Sequence, residues 1–156
     1  MRSIYKVLFF IAVISLPLER VVIGTPVAYT AKTINSHILT ECIRNGIIGH
    51  TNIIDSIIYV ESRYKRDAVS HAGAVGVMQI MPIALREYNR VNKSGYGLSD
   101  LYKPDVNIRI GVWNYKRCYD KYDDLWLALF AYNAGMSRKW YASTYPGKVM
   151  ARMNRD

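Results

Sequence analysis

The sequence predicts a mainly α, compact single domain. Three observations carry this. Apolar residues recur at three- and four-residue intervals in segment after segment, the period of a helix face. No stretch shows the strict alternation of a half-buried strand. A chain of 156 residues, 51% of them hydrophobic, suits one core.

The elements follow in order. "NSHILTECIRN", residues 35–45, reads as a first short helix closed by Gly46. "TNIIDSIIYVESRY", residues 51–64, is the second. Its Asn52 suits a cap, with Asp55 three residues on as a capping-box-like partner. Ile54, Ile57 and Ile58 form its apolar stripe, while Asp55 and Ser56 fall off that stripe toward water. "KRDAVSHAGAVG", residues 65–76, is a loop in which Gly73 and Gly76 let the backbone bend back. Pro82 fits the first turn of a helix over residues 82–92. Residues 93–104 read as a loop. A longer helix over 104–122 keeps Ile108, Val112, Tyr115 and Tyr119 on one face. "DDLWLALFAYN", residues 123–133, has Asp123 or Asp124 as its cap and Gly135 just past its end. "YPGKVMARMN", residues 145–154, is a terminal turn or short helix.

The N-terminus reads differently. Arg2 and Lys6 precede "VLFFIAVISLPL", Val7 to Leu18, an apolar run of 12 residues. That is short for a bilayer span and right for the core of a signal peptide. Residues 1–28 are read as the signal peptide and 29–156 as the working domain, with Ala28 or Ala31 near the cleavage point. An uncleaved anchor is the alternative. The expected location is the periplasm or the cell wall outside the cytoplasm, with no stable membrane span in the domain itself.

The net charge is +9; losing residues 1–28 removes three cations and one anion and leaves +7. A basic exported domain points to an anionic partner: a wall polymer, a membrane surface or nucleic acid. The cations Lys65-Arg66, Arg86, Arg90, Arg109, Lys116-Arg117 and Arg138-Lys139 are scattered, and no nucleic-acid motif accompanies them. Nucleic acid is therefore not the expected partner. Cys42 and Cys118 could pair in an oxidising compartment or remain two buried thiols. His37, His50 and His71 are too dispersed for a metal site, so neither metal nor cofactor is expected.

Glu61 stands out. It lies seven residues after Ile54, four after Ile57 and three after Ile58, on the same apolar stripe and near the helix's C-terminal end. Burial and the negative end of the helix dipole both disfavour its charged form. Such a carboxyl can hold its proton near neutral pH, as a general acid must. A surface partner such as Arg63, Lys65 or Arg66 is the plainer explanation of a glutamate at a helix end. Downstream, Gln79 is an amide among Val77, Met78, Ile80 and Met81; it needs partners, from a substrate or from backbone. Tyr132 and Asn133, in "AYNAG", put polar tips beside another helix end.

Together these blocks resemble the soluble-type lytic transglycosylases, which have a goose-lysozyme-like catalytic domain. The blocks are Glu61-Ser62, followed by Ser70 and "GAVGVMQIMP" (residues 73–82), then "AYNAG" (131–135), then the weaker "YPGKV" (145–149). The likeness covers about residues 37 to 152. It implies a lysozyme-like fold with a glycan-binding cleft. It implies cleavage of the β-1,4 bond between N-acetylmuramic acid and N-acetylglucosamine in peptidoglycan, without water, leaving a 1,6-anhydro end. Glu61 matches the single catalytic acid. Ser70, Gln79, Met81, Tyr132, Asn133 and Tyr145 match positions that line the cleft or orient the acid, and Ser62 matches a structural neighbour. Small exported members open the wall locally for secretion, conjugation or phage penetration, which would make parts of a secretion or conjugation apparatus partners beside the glycan strands. Three positions depart from the family pattern: Val77 for leucine, Ile83-Ala84 for Gly-Thr, and Pro146 for valine. A hydrolytic lysozyme and a non-catalytic wall-binding module are the alternatives on the same scaffold.

Overall fold

One long helix organises the chain. A computed structural model describes residues 31–136 and 143–155; residues 1–28, expected from the sequence to be a signal peptide, and the Arg138-Lys139 pair lie outside them. Six α-helices are described: α1 (Ala31–Arg44), α2 (Thr51–Ser62), α3 (Pro82–Asn92), α4 (Pro104–Tyr122), α5 (Leu125–Ala134) and α6 (Tyr145–Met153). Short 3₁₀ turns occupy Ile48–His50 and Leu98–Tyr102. None of the described helices is long and apolar enough to cross a membrane.

At 19 residues, α4 is about 28 Å long. It packs against α1, α3 and α5, while α2 packs against α1 and α6. The core is aliphatic and aromatic: Ile54, Ile57, Ile58, Met78, Leu101, Ile108, Ile110, Val112, Tyr115 and Leu129 are all fully buried. Charge also ties α1 to α4. The buried Glu41 carboxylate accepts from Arg44 and, at 3.0 Å, from Arg109 Nε, and Arg109 also donates to the Tyr96 hydroxyl at 2.7 Å.

The helix boundaries of α3 and α4 fall where their prolines and the residues after them place them. Other expectations change. Helix α1 starts at Ala31, four residues earlier than residue 35. Asn52 does not cap α2: the preceding 3₁₀ turn runs straight into the helix and His50 takes the cap position, without a side-chain bond. Ser56 is buried, not wet, and Asp55 is half-buried. The physical reason is that α2 lies between α1 and α6, so its buried sector is wider than one stripe. Asp124, not Asp123, caps α5 by accepting from the Leu127 N–H at 2.7 Å.

Cys42 on α1 and Cys118 on α4 are buried free thiols. Burial pushes both thiols up to about 11. Thiol titration of unreduced protein is expected to find neither group in the native state and both after unfolding; a titre of zero in denaturant would mean a disulfide.

Candidate active site

The site is built from the end of α2, the loop after it, the end of α5 and the start of α6. Helix α2 stops because Arg63 and Tyr64 both take left-handed backbone, φ 51° and 64°, and the Arg63 N–H closes the last turn on the Tyr59 carbonyl. Glu61 is therefore in the final turn, half-buried beside fully buried Ile57 and Ile58. Desolvation raises its pKa to about 7. A hydrogen bond from the Tyr145 hydroxyl to Oε1, 2.7 Å long, acts in the opposite direction. Tyr145 itself is buried, and its own pKa lies well above the usual tyrosine value, so it remains a donor. Pro146 follows in the first turn of α6, where a missing N–H costs nothing.

The loop is folded onto the rest by polar atoms. Ser62 Oγ donates to the Val77 carbonyl at 2.8 Å and to the Ile58 carbonyl at 3.2 Å. Tyr132 donates from α5 to the Met78 carbonyl at 2.8 Å. Burial, then the nearby Glu61 charge, holds the Tyr132 hydroxyl protonated. From α4, fully buried Asn107 spends three hydrogen-bonding groups on the loop and its neighbour: Oδ1 accepts from the Met78 N–H, and Nδ2 donates to the carbonyls of Val75 and Leu101, each at 2.8 Å. The backbone meets α4 closely. A Cβ on Gly76 (φ 83°) would lie 2.1 Å from Asn107 Nδ2, and one on Gly111 would lie 2.3 Å from Met78 Sδ.

The sequence-derived residues are thus placed as follows. Glu61, Tyr145 and Tyr132 converge. Gln79 sits in the loop with left-handed backbone (φ 49°), and its Nε2 donates to the carbonyls of Ala68 and Gly76 at 3.1 and 3.0 Å. Its amide nitrogen is a loop brace, the backbone-bonded alternative for this residue. Ser70 Oγ accepts from the Ala74 N–H at 3.0 Å and holds the turn. Met81 and Asn133 are exposed at the ends of the loop and of α5. Val77 is buried, so the departure there is a packing change, and Ile83 is exposed. Asn107 escaped the sequence reading. An asparagine in an amphipathic helix looks like a solvent-facing residue, and two of its three partners lie about thirty positions away.

A family model for the transglycosylase SLT domain matches residues 49–152. The chain belongs to the transglycosylase SLT domain family. The match contains Glu61, the braced loop, Tyr132 and Tyr145. A transglycosylase of Enterobacteria phage PRD1 is 32% identical to this SLT domain chain over 105 residues, which are 65% of this chain and 37% of the phage protein. Among solved structures, an inactive mutant of the lytic transglycosylase Slt from Pseudomonas aeruginosa aligns over 78% of this chain and 20% of its own, with 27% identity and a TM-score of 0.60. The 70 kDa soluble lytic transglycosylase of Escherichia coli aligns over 83% of this chain and 19% of its own, with 26% identity and a TM-score of 0.60. A 70-kDa soluble lytic transglycosylase in complex with bulgecin A aligns over 81% and 19%, with 25% identity and a TM-score of 0.63. The SLT domain here therefore spans a little over a third of the phage relative and about a fifth of the solved structures. Its helical architecture is the lysozyme-like one of those enzymes.

Proposed function

We propose that the protein is a peptidoglycan lytic transglycosylase. It cleaves the β-1,4 bond between N-acetylmuramic acid and N-acetylglucosamine without water and leaves a 1,6-anhydro end. The observation that carries this is Glu61, a half-buried acid whose pKa of about 7 keeps much of it protonated at neutral pH, with a tyrosine hydroxyl fixing its orientation.

Glu61 gives its proton to the glycosidic oxygen as the C1–O bond breaks. The muramyl 6-hydroxyl then attacks C1, and its proton passes back to Glu61. No net proton is consumed. Proximity of the ring hydroxyl replaces a bound water. Ordinary glycoside hydrolysis uses two carboxylates. The nearest carboxylates along the chain are engaged elsewhere or wet: Asp55 accepts from Tyr64, and Asp67 is exposed. A one-acid mechanism fits that arrangement. Gln79, Ser70, Met81, Tyr132 and Asn133 are the proposed cleft lining, with Ser70 and Gln79 acting mainly by shaping the loop.

Family membership supports export, because the glycan lies outside the cytoplasm. The role we assign is local opening of the wall, in secretion, conjugation or phage penetration. A relative of phage origin supports the last of these.

The test is a digest of purified peptidoglycan with products read by mass spectrometry. Anhydromuramyl ends are expected. Reducing ends would make the protein a lysozyme, and no products would favour a wall-binding module. A second expectation concerns Tyr145→Phe. It removes a hydrogen bond that lowers the pKa of Glu61, so the alkaline limb of the kcat/KM profile moves to higher pH. A limb that stays in place would separate Tyr145 from the acid.

A further inference from the structure

Polar contacts tie helix α6 to α2 at two places. Its start carries Tyr145, bonded to Glu61 near the end of α2. Its end carries Arg152, whose guanidinium lies 3.8 Å from Asp55 Oδ2 near the start of α2. The same guanidinium sits over the Tyr59 ring, 4.8 Å from its centre, and acts on the Tyr64 hydroxyl. Tyr64 in turn donates to both Asp55 oxygens at 3.0 Å. The two attachment points match in spacing. Tyr145 and Arg152 are seven residues apart on one face of α6, about 10 Å along its axis, and Asp55 and Glu61 are six apart on α2, about 9 Å. The helices thus run antiparallel with a clasp at each end, and buried Val149 lies between the clasps on the same α6 face.

We propose that Arg152 is a positioning residue: its clasp on Asp55, Tyr59 and Tyr64 sets the seat of α6, and through it the reach of the Tyr145 hydroxyl to the Glu61 carboxyl. This rests on the assignment of Glu61 as the acid. A hydrogen bond weakens steeply as its geometry is lost, so a sub-ångström slide of α6 is enough to matter. Burial of Tyr145, Pro146 and Val149 keeps α6 on the domain without the clasp, so loss of Arg152 moves the helix and does not release it.

The titratable groups described around Glu61 are Tyr145 from α6 and Tyr132 from α5. The loop of residues 73–81 contributes none. Titration of the Glu61 carboxyl by carbon-13 NMR therefore reads the clasp independently of catalysis. In Arg152→Ala its pKa is expected to shift upward, part of the way to the Tyr145→Phe value, and Arg152→Lys to restore much of the difference. In a Tyr145→Phe background, Arg152→Ala is expected to add no further shift. Asp55→Ala separates position from bare charge. Removing a carboxylate lowers the pKa of Glu61 through space, whereas opening the clasp raises it, and a rise is expected. On peptidoglycan, Arg152→Ala is expected to lower kcat roughly 2- to 30-fold with KM little changed. An unchanged titration in Arg152→Ala, with only a lower Tm, or a downward shift in Asp55→Ala, would overturn the inference. A parent protein that titrates as expected yet releases no products would sink the proposed activity and leave the positioning intact.

Discussion

A Glu61→Gln protein is expected to lose peptidoglycan cleavage and to become more stable above neutral pH. The loss follows from removing the proton donor, which is worth on the order of 10²- to 10⁴-fold in rate. Glutamine has nearly the same shape and can still accept from Tyr145, so the fold should persist. The stability gain follows from linkage. The carboxyl has a pKa of about 7 in the folded chain against 4.5 for an ordinary glutamate. Below 4.5 both folded and unfolded states carry the proton, and ionisation costs nothing. Between 4.5 and 7 the unfolded chain ionises while the folded one holds its proton, so folded stability falls as pH rises. Above 7 both are charged and the penalty is complete, about 3 kcal/mol. Glutamine stays neutral throughout. The difference in urea midpoint between variant and parent should be small at pH 4, grow through pH 6, and level off above pH 7. A flat difference across that range would mean that Glu61 ionises as an ordinary surface carboxylate. Retained activity in the variant would remove it from the chemistry.

The second large effect is expected at a residue with no place in the chemistry. Asn107→Ala leaves the Met78 N–H and the carbonyls of Val75 and Leu101 without their side-chain partner in a buried place. The Val75 carbonyl keeps the Ile80 N–H, so two buried groups are left unsatisfied; at about 1–3 kcal/mol each, a loss of about 2–6 kcal/mol is expected, less whatever water recovers. The loop that Tyr132 and Ser62 hold from its other side should then loosen, and activity should fall beyond the loss in folded fraction. Denaturant unfolding and a digest at a temperature where the variant is folded test both halves. Gly76→Ala attacks the same contact from the loop side. Its Cβ has no room against Asn107 and the Leu101 carbonyl, and the φ of 83° strains any side chain. Two variants on opposite sides of one contact should therefore fail alike. Full activity in either would show that the loop keeps its shape without this contact.

These two residues also mark how far a sequence can be read. The place of Glu61 on the apolar stripe was legible because an amphipathic helix makes a misplaced carboxylate visible, whereas its role as an acid came only through resemblance. The bounds of α3 and α4 were legible because proline at a helix start is a local signal. Tyr145 could be tied to Glu61 only through resemblance, since nothing near it in sequence points 84 residues back. Asn107 and Arg152 were not legible. Each looks like an ordinary polar residue on its own helix, and its meaning lies in partners brought from far away. The start of α2 was misread for a related reason. Asn52 has the chemistry of a cap, but an upstream 3₁₀ turn had already taken that position.

The 84-residue separation of Glu61 and Tyr145 has a bearing on biogenesis. A chain made from its N-terminus presents the acid 84 residues before the tyrosine. Tyr132, which secures the loop, also follows the acid in the chain. Until α5 and α6 have emerged and docked, Glu61 lies on an uncovered helix end, wet and ionised like any exposed glutamate. A nascent or truncated chain therefore carries the residue but not the proton. A carboxyl that holds its proton at neutral pH therefore exists only after α5 and α6 have been made and packed.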